Sequence, residues 1–138
     1  MNLPDNTITK HFFDTLNGNL GTGVDVYTGV PKGADYPYVL IYDQTGSEDS
    51  CKDTWIIEGN IVTEVVYGYK GDGSVKQCNT VANLIIQLLR ATITGAVSLT
   101  GFNISNLELL SSNTFIENQE ENKIYRKILR FNYRVEQI

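Results

Sequence analysis

The residue types that most often carry catalysis or bind metal ions are few in this sequence and lie far apart. His11 is the only histidine, and Cys51 and Cys78 are the only cysteines. His11 falls in a predicted helix with no candidate nucleophile, so a catalytic triad is not indicated and we expect a histidine at the helix surface. Neither cysteine has another cysteine or histidine at metal-ligand spacing, and we expect two reduced thiols, with a disulfide as the alternative.

Four carboxylates form a loose acidic group in the first half of the chain. They are Asp43, Glu48, Asp49 and Asp53. A calcium site is one interpretation, but their spacing does not match an EF-hand loop. The polar segment 46–54 instead predicts an exposed hairpin loop. Because exposed loops often carry subunit contacts, we treat the four carboxylates as candidate interface residues.

Three arginines near the C-terminus form a basic stripe. Arg126, Arg130 and Arg134 are four residues apart, which places neighbours roughly 13 Å from one another along a strand. One interpretation is ion pairing with glutamates of other strands. The candidate glutamates are Glu58, Glu64 and Glu108. The other interpretation is a subunit interface, where arginine is enriched. In that case, changing all three arginines to glutamate is expected to block assembly and to leave the fold intact.

Composition predicts an ordinary globular protein, with residues 1–138 as a single domain. Hydrophobic residues make up 41% of the chain and charged residues 20%, and the net charge is −5. That negative net charge argues against a nucleic-acid-binding protein, because nucleic-acid binding requires a basic surface. The N-terminal residues lack the pattern of a signal peptide, and no apolar run is long enough for a membrane helix. We therefore expect a protein that is made in the cytoplasm and does not enter a membrane.

Hydrophobic periodicity predicts two helices and about five strands. The predicted elements, in chain order, are a helix over 7–20, strands over 24–28, 37–45 and 55–69, a helix between Ser74 and Gly95, and strands over about 104–117 and 123–136.

The patterns of the two long strands, 55–69 and 123–136, each predict one buried face and one solvent-exposed face. In strand 55–69 the odd positions, beginning with Trp55, are mostly apolar. The even positions include polar residues, and in strand 123–136 the arginines alternate with apolar residues. Such strands favour an antiparallel sheet with both helices on its buried face. The predicted fold class is therefore a two-layer α+β domain in the order α-β-β-β-α-β-β.

The segment Val24–Ile41 carries the pattern V-x-V-Y-x-G-x-P…Y-P-Y-V-x-I. This pattern and the order of elements resemble the tail-terminator proteins of long-tailed bacteriophages, a family that includes the lambda-like minor tail protein U. The resemblance implies a ring, usually of six copies, that stops tail-tube polymerisation at the head-proximal end and docks to the head connector. It implies as partners other copies of the chain, the tail-tube protein and a connector or neck protein, with DNA only passing through the lumen. It implies a virion protein with no cofactor, no metal and no catalytic residues.

Two other functions remain open. A head–tail joining or neck ring protein shares this fold and differs in its place in the particle. A small cytoplasmic ligand-binding module belongs to another class, and it requires a pocket with converging polar groups.

Overall fold

The computed structural model describes residues 3–29, 32–70, 73–91, 97–99, 101–119 and 122–137. These residues form two helices and six strands. In chain order the elements are α1 (Asp5–Leu16), β1 (Asp25–Tyr27), β2 (Tyr38–Glu48), β3 (Ile56–Lys70), α2 (Lys76–Ala91), β4 (Val97–Leu99), β5 (Phe102–Gln119) and β6 (Asn122–Gln137). The short strand β4 is additional to the predicted elements. No helix in the described part of the chain is long and apolar enough to cross a membrane.

The strands form one sheet in the order β1-β2-β3-β6-β5-β4. Only the β1–β2 pair is parallel, and every other pair is antiparallel. The centre is the long β3–β6 pair, which joins strands separated in sequence by α2, β4 and β5. The predicted two-layer α+β class is confirmed.

Both helices cover one face of the sheet, which we call the helix face. From α1, Ile8, Phe12 and Leu16 are fully buried there. The α2 stripe packs beside them, with Cys78 and Ile85 among its fully buried members. These side chains repeat at three- or four-residue intervals, so each helix presents one apolar stripe to the sheet. The sequence predicted both helices on the buried face of the sheet, and this placement is confirmed.

The opposite, open face of the sheet is less polar than predicted. On β6 the helix-face positions, including Leu129, Phe131 and Tyr133, are buried as expected. However, Val62 and Val66 on the open face are also fully buried. Strands β2 and β6 flank β3 on both sides, so its small side chains are covered even where no helix lies above them.

Several predicted boundaries were wrong. Helix α1 begins at Asp5 after Pro4 and has no side-chain N-cap bond, and it ends at Leu16 instead of residue 20. Trp55, expected on the buried face, precedes β3 and is 49% exposed. A periodic pattern assigns the face of a residue inside a strand, but at the end of a strand no neighbouring layer covers the side chain.

The predicted loop 46–54 is largely a continuation of the β2–β3 hairpin. The ladder extends to the Glu48–Ile57 pair, and an isolated bridge joins Cys51 and Thr54. Ladder bonds are made by main-chain groups, so a polar composition does not end the pairing. The segment is exposed as predicted, but its unpaired turn is shorter than the sequence suggested.

Candidate interaction surface

The residues with the greatest potential for chemistry are separated in the structure. His11 is partly buried on α1 beside Phe12, and this burial lowers its pKa. Cys78 belongs to α2 and is buried against the sheet, where desolvation raises its pKa to about 11, and Cys51 is exposed in the β2–β3 hairpin. No group of three metal-ligating side chains occurs within the described ranges. These residues therefore do not form a common reactive centre.

The arginine stripe lies on the open face, where the sequence predicted it, and its first member is tied to two strands. Arg126 Nη1 donates to Glu64 Oε1 of β3 at 2.8 Å, and Arg126 Nε donates to Glu117 Oε1 of β5 at 3.0 Å. Burial alone would lower the pKa of Arg126, but the two carboxylates raise it. The Glu64 side chain is only 12% exposed. This is the predicted cross-strand pairing, extended to Glu117, which the sequence analysis did not name.

Arg134 makes the second set of ion pairs. Its Nη1 lies 2.6 Å from Glu58 Oε1 on β3 and 2.8 Å from Asp49 Oδ2 beyond the end of β2. These bonds raise the pKa of Arg134. The basic stripe and one of the acidic residues, predicted as separate features, therefore meet within one chain.

Arg130, between them, is different. Its Nε donates to the amide oxygen of Gln44 at 2.7 Å, and within the described residues it makes no ion pair with a carboxylate. Gln44 lies at a bulge in β2, between Asp43 and Thr45. Of the three arginines, Arg130 is thus the one that pairs with no carboxylate of the described residues.

The acidic group does not form one solvated cluster, which corrects the sequence interpretation. Asp49 is engaged by Arg134, Glu48 accepts a bond from Ser50, and Asp53 is exposed at the hairpin tip. Asp43 is inside β2, opposite the core residue Ile61. The bulge after Asp43 changes the direction of the following side chains relative to simple alternation. The spacing of residues in the sequence did not reveal this bulge.

Asp43 belongs instead to a polar contact between α1 and the sheet. Thr9 Oγ1 donates to Asp43 Oδ2 at 2.9 Å, whereas the buried Oδ1 has no hydrogen-bond partner in the described part of the chain. Desolvation is the main cause that raises the pKa of Asp43, and Asp5 adds to it. The Tyr133 hydroxyl is buried nearby without a bond of standard geometry. Its pKa is raised by burial and by both aspartates.

We expect Asp43→Asn to be at least as stable as the wild type at pH 7. A carboxyl group whose pKa is raised by folding contributes stability below its ordinary value of 3.8, and this stability is lost as the pH rises through the folded-state pKa. The variant lacks this loss, so its advantage should shrink as the pH is lowered. Urea unfolding at several pH values measures the difference, with Asp53→Asn at the exposed tip as the control for net charge. A variant less stable than the wild type at neutral pH would contradict this account.

A second surface was missed by the sequence analysis. Leu110, Phe115 and Ile116 of β5 are 57%, 51% and 58% exposed. Adjacent apolar residues in a strand point to opposite faces, so the consecutive pair Phe115–Ile116 cannot be buried by helices on one side. That pair was the signal available in the sequence.

A cavity of about 630 Å³ lies between the start of α2 and the segment that follows α1. Leu20, Val24, Tyr67 and Val81 contribute apolar walls, and Lys76 is the one charged residue of its lining. It lacks the set of converging polar groups that a dedicated small-molecule site usually has.

No protein-family model matches this chain, and no curated protein sequence matches it. Among solved structures, the fold is similar to that of a chain in the virion of a native gene transfer agent particle, with a TM-score of 0.68 and 19% sequence identity. The similarity covers 95% of this chain and 96% of that chain. At this level of identity, what the two chains share is the fold, and they share it over nearly their whole length.

Proposed function

We propose that this protein is a structural component of a phage-like particle. The observation that carries the proposal is the similarity, over nearly the full length of both chains, to a chain of a gene transfer agent virion. The placement of His11, Cys51 and Cys78 on three different elements also favours a structural function over an enzymatic one, because the described residues do not gather them into one reactive group.

Within such a particle, we propose a ring at the head-proximal end of the tail. The ring, of about six copies, ends tail-tube polymerisation and offers a docking surface to the head connector or neck protein. The resemblance of the Val24–Ile41 segment to tail terminators supports this role. A sheet with helices on one face is suited to a ring, because one layer can line the lumen while the other faces outward. The net charge of −5 is compatible with a lumen that DNA passes through without binding.

The experiment that tests this role is deletion of the gene from its parent particle, followed by negative-stain microscopy. A tail terminator predicts tubes of uncontrolled length that do not join heads. A neck ring protein, the runner-up, predicts tails of normal length that remain separate from heads. Normal, joined particles would overturn both proposals and favour the cytoplasmic ligand-binding module. Complementation with the wild-type gene is the control.

A further inference from the structure

Both sides of the sheet end in a long strand whose outer edge is mostly open. Strand β1 pairs only with Tyr38–Leu40 of β2, and β4 pairs only with Phe102–Ile104 of β5. Within the described residues, no strand pairs with the outer side of β2 over 41–48 or of β5 over 105–119. Open edges present unpaired main-chain N–H and C=O groups, which can bond to a strand of another chain.

The chain directions of β2 and β5 allow the two edges to pair with each other in an antiparallel arrangement. Three antiparallel steps, β2–β3, β3–β6 and β6–β5, separate them, so β2 and β5 run in opposite directions. If a second copy is placed beside the first with its helices on the same side, β5 of one copy is antiparallel to β2 of the next. Antiparallel pairing is the arrangement of every long pair in this sheet and is slightly more stable per residue than parallel pairing.

The distal part of β5 lacks the usual protection of an edge strand. Beyond the bulge at Leu109–Ser111, the segment Ser111–Gln119 contains no Pro, Lys or Arg and pairs regularly with β6. Native edges are commonly blocked by such residues or covered by another element. Here Phe115 is exposed on the open face and Ile116, opposite Tyr125, on the helix face.

The edge of β2 offers a place for one of these side chains. A cavity of about 270 Å³ lies on the helix face of this edge and is lined by Leu3, Asp5, Gly46, Ser47, Glu48 and Ile57. Ile57 and the exposed Leu3 are apolar, whereas the two carboxylates make the rim acidic. A strand that pairs with this edge must therefore place an apolar side chain in the cavity. It must also carry no unpaired carboxylate, because the acidic rim would repel it. Ser111–Gln119 meets this condition, because its one acidic residue, Glu117, is held by Arg126.

We infer that the proposed ring closes by sheet extension: Ser111–Gln119 of one copy adds antiparallel to Ile41–Glu48 of the next, and Ile116 enters the cavity beside β2. The inference rests on the proposed ring. Because the two joined patches are different, a joined pair of copies still has one free β2 edge and one free β5 edge, to which further copies can add. Such a head-to-tail contact closes into a ring when the rotation per subunit allows it.

The first test compares Ile116→Glu with Leu110→Glu on rings formed by the purified protein or on tail tubes. Ile116→Glu places a carboxylate against Asp5 and Glu48, and we expect the concentration for half-maximal assembly to rise by at least about tenfold. Leu110 is equally exposed but precedes the pairing segment, so Leu110→Glu should assemble as the wild type does. Circular dichroism melting shows that both variants fold. Equal assembly of folded Ile116→Glu and the wild type would overturn the inference.

The second test identifies the contact directly by disulfide trapping. Proteins carrying Ile116→Cys and Glu48→Cys, both with Cys51→Ser, are mixed under oxidising conditions. Both positions lie on the helix face, since Ile116 is opposite Tyr125 and Glu48 is opposite Ile57. The inference predicts cross-linked dimers in the mixture and none in either protein alone. A dimer from Ile116→Cys alone would overturn it in favour of symmetric β5–β5 pairing. Wild-type rings without the mixed cross-link would overturn this interface and leave the proposed ring standing, whereas the gene deletion tests the ring itself.

Discussion

Replacement of Arg126 by glutamate is expected to destabilise the fold strongly, while the same replacement at Arg130 leaves it almost unchanged. Arg126 bonds to Glu64 and Glu117, and its side chain is only 27% exposed. The reversal would place three carboxylates together, one of them nearly buried. We expect the free energy of unfolding to fall by roughly 2–4 kcal/mol, which is somewhat less than the range of about 3–5 kcal/mol for breaking a fully buried pair, because the side chain of Arg126 is partly exposed.

Arg130→Glu is the matched control, since it makes the same charge change on the same face of β6, four residues away. It breaks only the bond to Gln44, and we expect a change within about 0.5 kcal/mol, as is usual for surface substitutions. Urea unfolding of both variants measures the difference. Equal losses would contradict the assignment of Arg126 as the structural member. The comparison also revises the expectation that all three arginines can be reversed without loss of folding, and it leaves Arg130 as the preferred substitution for testing assembly.

Phe12→Ala is expected to have the largest effect on stability. Phe12 is fully buried between α1 and the sheet, and its ring meets that of Phe131 edge to face at 5.7 Å. Removal of a buried phenylalanine side chain costs about 3–5 kcal/mol, because the lost burial is joined by a cavity that the neighbours fill only in part. The loss of the aromatic contact acts in the same direction.

Phe13→Ala provides the control, because it lies in the same turn of α1 and gains the same helix propensity. Phe13 is only partly buried against the core, so we expect a loss of roughly 1–2 kcal/mol. Denaturant unfolding with tyrosine and Trp55 fluorescence and circular dichroism gives both values. A loss for Phe12→Ala no greater than that for Phe13→Ala would show that α1 does not anchor the core as described.

The candidate interface residues differ in their contacts within the chain. Asp49 and Arg134 are paired with each other, and Asp43 contacts α1. Glu48 lies beside the cavity at the edge of β2, and Arg130 remains on the open face without a carboxylate partner in the described chain. Their part in assembly stays a prediction, and the structure makes Glu48 and Arg130 the more informative positions to change.

The sequence by itself determined the kinds of elements and which face of most of them is buried. These properties depend on residues close together in the chain, since a repeat of 3.6 or 2 residues specifies a helix stripe or a strand face. That is why the α1 stripe through Ile8, Phe12 and Leu16 and the alternation along β6 agree with the structure. It is also why the α+β class followed from pattern alone.

Only the tertiary structure decided which strands are neighbours, and with them the interaction surface. Arg126 and Glu64 are 62 positions apart, and their bond exists because β6 pairs with β3 after a connection through α2, β4 and β5. The bulge that follows Asp43 and the open edge of β5 have the same origin. Each depends on competition among distant strands for main-chain bonds, and that competition is resolved by packing of the whole sheet and not by the residues next to it in sequence.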